Sequence, residues 1–221
     1  MRTPALFAAL ALFAAPLPAA ACSVASGYRI PTNLDLVESA DLILLGKVTP
    51  GDFAPDSTPE QMVSIEPIEA IKGRMPAGPV ALAGGIASGE DAILSNPYDL
   101  KYAHPQSFAG ACTRYMFADG ARVLFFLKRS DTGWQGAGGP FSRWAEDVLT
   151  DDAPWLQAVR FYAGVAALPK AERAAALERQ RSLWGAEGGD PVAQILAADV
   201  DRQLAGPNKP LREELPPPPG D

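Results

Sequence analysis

Of the 221 residues, 48% are apolar and 20% charged, the composition of a folded globular chain, which excludes wholesale disorder. With 19 Lys and Arg against 26 Asp and Glu, the formal charge is −7. Nothing electrostatic favours a phosphate backbone, so no nucleic-acid partner is expected. The single histidine, His104, cannot supply a three-histidine zinc site, an HExxH helix or a bis-histidine haem, and no metal or other cofactor is expected.

Met1 and Arg2 give a positive start, an unbroken apolar run covers 5–15, and Pro16 and Pro18 then break any helix. Ala19-Ala20-Ala21 supplies the small-x-small pattern that a signal peptidase needs. The run is about half the ~20 residues that span a bilayer, so 1–21 reads as a signal peptide, and no transmembrane helix is expected. A periplasmic or secreted chain follows.

Cleavage would make Cys22 the first residue. Two readings of it stand. A lipoprotein signal also ends at a cysteine, although it favours Leu where Ala19 stands. This would make Cys22 a lipid anchor in the outer membrane. Alternatively Cys22 pairs with Cys112, the only other cysteine, as two cysteines in an exported chain usually do. That bridge closes a loop of about 90 residues, on the order of 4 kcal/mol in chain entropy, and pins an end that otherwise frays. The bridge is the favoured reading.

Along the mature chain, 33–40 predicts a short helix capped by Thr32 or Asn33. The run 40–49 (ADLILLGKVT) has the apolar density of a buried strand, and 50–59 is a loop. A strand over 62–72 is interrupted by Pro67, which cannot donate to a ladder and marks an edge or a bulge. A short strand is expected at 79–83. The segment 87–110 is the least patterned of the chain. Strands follow at 112–117, at 122–128 (RVLFFLK) and at 132–136.

Beyond Asp151 the sequence turns Ala-rich and helical. Pro154 opens a helix with Trp155, Val159, Tyr162 and Ala166 on one face. Pro169 opens a second, with Ala174, Leu177, Arg181 and Trp184. Asp190-Pro191 caps a third, with Ile195, Leu196 and Leu204 as its apolar face. Short strands without a βαβ rhythm predict a mainly β fold with added α: a five-stranded OB-like barrel over 22–147 and a helical annex over 151–205. A Pro-rich tail over 206–221, expected to be disordered, ends the chain.

The order of several short pieces resembles bacterial relatives of the tissue inhibitors of metalloproteinases, in the netrin-like OB-fold class. The pieces are Cys22-Ser23, Ala40-Asp41 with Gly46 and Val48, Lys72-Gly73, Cys112, and Phe117 with Gly120. They span roughly 22–143. In that family an N-terminal Cys-x-Cys makes two disulfides. Here Val24 stands at the second cysteine and Phe141, ahead of Ser142-Arg143, at its late partner. Their joint absence implies an apolar contact between Val24 and Phe141. The resemblance also implies partner-binding roles for Cys22, whose free amine and carbonyl grip a protease zinc in the animal inhibitors, and for Ser23, whose side chain follows. A free α-amine titrates near pH 8, which leaves a neutral fraction able to ligate metal.

No catalytic constellation is visible. His104 sits in an irregular loop, where a lone histidine is usually structural. Glu66 and Glu69, three apart on a strand, read as solvated edge charges unless Pro67 makes a bulge. Gly84-Gly85 with Gly89 lacks a phosphate-loop ending, and no serine has a GxSxG setting. Trp134, Trp144, Trp155 and Trp184 are expected at the seam between barrel and helices. The expected function is therefore a non-enzymatic, exported protein-binding module, with a metalloprotease the partner implied by the resemblance. A lipid-anchored scaffold is the alternative, and a hydrolase using Glu66, Glu69 or His104 ranks last.

Overall fold

The computed structural model describes residues 24–51, 61–89 and 92–212. The predicted leader, Cys22, Ser23 and the last nine residues lie outside them. A short helix, α1 (Asn33–Ser39), precedes the strands β1 (Leu42–Pro50), β2 (Met62–Lys72), β3 (Val80–Ala83) and β4 (Gly85–Ala87). A long irregular segment leads to β5 (Met116–Ala118), β6 (Arg122–Ser130), β7 (Gly133–Gly136) and β8 (Ala145–Asp147). The helices α2 (Pro154–Ala167), α3 (Lys170–Ala186) and α4 (Pro191–Leu204) follow.

The fold is mixed α/β. Five antiparallel strands in the order β3-β2-β1-β6-β7 curl into a nearly closed barrel, with β3 and β7 approaching each other without a described ladder between them. β8 pairs with β6 beside β7, and β4 and β5 form a small parallel pair.

The runs LILL and VLFFL are apolar throughout because both faces of the sheet are covered. Leu42, Leu44, Val123, Phe125 and Leu127 point into the barrel with Val63, Ile65 and Leu82. Ile43, Leu45, Leu124 and Phe126 point the other way, onto Leu36, Trp155, Val159 and Leu196 of the helices. Period-two alternation sends neighbours to opposite faces, and here each face has a core. Each such side chain contributes about 1.5–3 kcal/mol by leaving water. Gly46 falls on the inward side of β1, where a Cβ would lie 2.3 Å from Ile65 Cγ2. The β1–β2 ladder skips Ile68, beside Pro67, and β3 pairs with β2 only as far as Ile65. Pro67 therefore stands where β2 bulges and loses its outer neighbour.

Thr32 caps α1 in a capping box with Asp35, and Asp190 caps α4 ahead of Pro191. One buried carboxylate joins α1, α2 and α4. Asp199, fully buried, accepts from the Tyr162 hydroxyl at 2.6 Å, from Arg202 at 2.7 Å and from Asn33 Nδ2 at 2.9 Å. Burial and then the Asp199 charge push the Tyr162 phenol far above its ordinary value.

Three expectations are corrected. The strand predicted over 112–117 is only Met116–Ala118, because Cys112 takes a left-handed φ of 63° and the Arg114 side chain turns inward. The three-residue strands β4 and β8 have no counterpart in the sequence reading. Only two tryptophans, Trp155 and Trp184, lie at the barrel–helix seam, whereas Trp144 and Trp134 pack with the barrel interior. Among the described residues, no helix is long and apolar enough to cross a membrane.

Candidate functional site

Cys112 lies at the end of the irregular segment, directly against the turn that precedes β8. Its carbonyl accepts the Phe141 N–H at 2.6 Å, and Phe141 is itself left-handed at φ 56°. Two non-glycine residues held in this sparsely populated region, at about 1–3 kcal/mol each, mark a turn that its surroundings over-determine. Phe141 also rests its ring on Phe108, with centroids 5.4 Å apart. Beside Cys112 a groove of about 660 Å³ runs along the open side of the barrel, walled by Leu82, Tyr115, Trp134, Pro140 and Trp144.

The groove's floor is built by close approach. Trp144 lies against Gly136, where a Cβ would meet ring carbons at 2.6 and 2.7 Å, and its indole N–H has no partner among the described residues. Arg129 stacks on Trp134 at 4.1 Å. The N-terminal strap reaches the rim through Tyr28, whose hydroxyl lies 2.6 Å from the Pro140 carbonyl and 3.0 Å from that of Gly138. The strap is held from its other side by the chain's far end: Gly27 N–H donates to Arg212 O and Leu211 N–H to Tyr28 O. Of the expected site residues, Cys22 and Ser23 lie outside the described residues, and Cys112 is not a free thiol. The expected Val24–Phe141 contact concerns the same turn, which the strap meets at Tyr28.

The irregular segment is anchored by a buried charge network that the sequence reading missed. Arg114 grips Asp147 with two nitrogens, each at 3.0 Å, and both side chains are buried. Asp147 Oδ2 also accepts the Ser95 N–H at 2.7 Å. Glu146 accepts from Ser95 Oγ at 2.6 Å and from the His104 N–H at 2.9 Å, with Arg143 at 3.9 Å. Burial pushes the Glu146 carboxyl up, against the pull of Arg143. Two cations and two anions thus neutralise each other, the condition under which charges tolerate burial.

His104 belongs to this network as a spacer. Its Nδ1 accepts the Gln106 N–H at 3.3 Å, so Nε2 carries the proton and donates to the Ile93 carbonyl at 2.9 Å. Burial, then the nearby Arg114, hold its pKa down to about 4. A general base needs a free nitrogen facing a substrate. Both nitrogens here are spent on backbone, and Ser95 donates to a carboxylate rather than to the imidazole. The arrangement fixes the segment in place. The signal available in the sequence was the pair Glu146-Asp147 set among Trp144, Ala145 and Val148, two acids where a strand reads apolar.

Glu66 and Glu69 do not converge on a cleft. Glu66 lies 4.0 Å from Lys47, and Glu69 pairs with Arg160 of α2 at 2.6 Å. Among the described residues, no group of three His, Cys, Asp or Glu is placed to hold a metal ion. No family model, curated protein or solved structure matches the chain.

Proposed function

We propose that this chain is an exported protein-binding module built on a netrin-like OB barrel, with Cys22 as its first mature residue and tied to Cys112. The supporting observation is the Cys112 groove. Tyr28 docks the N-terminal strap on the groove's rim, and Cys112, which is not free, lies in its wall. A bridge there would hold Cys22 and Ser23 at the edge of an apolar surface, where a partner can reach them. The OB reading is supported by strand order: β1-β2-β3 as a meander, β6 returning beside β1, and β7 approaching β3, as in a partly open five-stranded Greek-key barrel.

The partner class is a protein, and a zinc metalloprotease is the one to test. In this reading the Cys22 amine and carbonyl ligate the protease metal and the Ser23 side chain enters its pocket. The experiment compares the chain beginning at Cys22 with one carrying an extra N-terminal alanine, each titrated against secreted zinc proteases. Inhibition by the first and its loss in the second supports the reading. Equal behaviour of the two refutes a role for the amine.

A further inference from the structure

The irregular segment leading to β5 carries a second surface. Five of the eleven large apolar side chains exposed among the described residues lie on it away from the Cys112 groove: Ile93, Leu94, Tyr98, Tyr102 and Phe108. Exposed side chains on a loop are ordinary when the loop moves. This one is clamped from beneath by the Arg114–Asp147 and Glu146–Ser95 pairs, so its apolar display is fixed. At its centre is a pocket of about 290 Å³ with Glu146 and Asp99 among its lining and Tyr102 and Phe108 at its rim.

The pocket's chemistry is one-sided. Asp99 Oδ1 accepts two backbone N–H groups, at 2.8 and 3.0 Å, which leaves Oδ2 as an acceptor. Each Glu146 oxygen retains a lone pair beyond its one hydrogen bond. The His104 nitrogens are both engaged. Arg143 serves both residues from behind, 3.9 Å from Glu146 and donating to the Asp99 carbonyl, which leaves Asp99 Oδ2 as the acceptor open to a ligand. The rim already attracts one cation of the chain's own: Lys101 Nζ stands 4.7 Å from the Tyr102 ring centre. Unspent acceptors below and two aromatic rings above suit a flat, donor-rich cation.

We infer that this pocket receives an arginine side chain of a partner protein, with the surrounding apolar side chains covered by the same partner. A free amine would fill the pocket but leave Ile93, Leu94 and Tyr98 in water, which is why a protein is the occupant assigned. The partly exposed Asp99 carboxylate is the local charge that a basic side chain would meet. The inference rests on the chain being a binding module but not on Cys22.

The test titrates ¹⁵N-labelled chain with acetyl-Leu-Arg-Leu-amide and follows backbone shifts. Saturable changes confined to 96–108 are expected, with the citrulline analogue about tenfold weaker and Tyr102→Ala about fivefold weaker. Lys101→Ala tightens binding, since it removes the resident cation. N-acetylarginine amide binding about fivefold more weakly than the tripeptide supports a protein occupant. Equal binding of those two probes overturns the protein assignment. Equal binding of the citrulline peptide, or shifts scattered over other acidic surface, overturns the pocket. None of these results depends on the state of Cys22, so failure here and failure of the Cys112 groove are separable.

Discussion

Acidification should destabilise this protein through one identifiable side chain. His104 is the chain's only histidine, is 1% exposed, and holds its Nδ1 as an acceptor for the Gln106 N–H. Protonation would set two N–H groups against each other in a site whose nearest carboxylate, Asp147 at 3.9 Å, is already gripped by Arg114. Burial first, then Arg114, depress the pKa from 6.5 to about 4. Because the folded value lies below the unfolded one, the contribution is complete above pH 6.5 and is lost as pH falls through about 4. The depression corresponds to about 3 kcal/mol at most. Glu146 works in the opposite sense: its raised pKa means that ionisation opposes folding, so its penalty shrinks as pH falls. Comparison with His104→Gln separates the two. The wild type should be the more stable at pH 7, and its advantage in urea unfolding should shrink by about 2–3 kcal/mol by pH 4. The imidazole C–H resonance, alone in the proton spectrum, should titrate near pH 4. Titration near 6.5, or a pH-independent difference between the two proteins, would refute the reasoning.

Gly46→Ala should destabilise by about 1–3 kcal/mol, because its Cβ falls 2.3 Å from Ile65 in a filled interior. Gly164→Ala, on an exposed face of α2 with open space around it, should stabilise by about 0.5–1 kcal/mol. Thermal melts of both variants check the contrast, and equal shifts would contradict it. Tyr162→Phe removes one donor to the Asp199 charge and should cost about 1.5–3 kcal/mol in denaturant unfolding. An unchanged midpoint would show the Asp199 hub to be indifferent to that bond. Val24→Cys with Phe141→Cys should form a bridge under mild oxidation, detected as a loss of two hydrogens by mass. Two persistent free thiols would break the alignment on which the family resemblance depends.

Much of the barrel was legible because its signals are local. LILL and VLFFL announce strands covered on both faces, and Thr32 and Asp190-Pro191 announce helix starts through groups that bond within three residues. The strand β8 was not legible, since Glu146 and Asp147 look like surface residues until Arg114, 33 residues away, and the buried Arg143, three residues before Glu146, neutralise them. His104 looked idle for the same reason: its partners, Ile93 and Glu146, lie 11 and 42 residues away. The tryptophans divided between two cores because proximity in sequence does not say which face of the sheet a side chain meets. Of the candidate site, Cys112 was legible from the cysteine count. The groove beside it was not, since its walls come from β3, β7 and the turn at Phe141.

On the proposed function the processed chain begins at Cys22 with a free amine and is tied to Cys112. Intact mass of the exported protein, taken before and after reduction, tests it most directly. The expected result is a mass beginning at Cys22 that gains two hydrogens on reduction. A mass raised by a diacylglycerol, with Cys112 a free thiol, would contradict it, committing Cys22 to a membrane and leaving the groove without its tether.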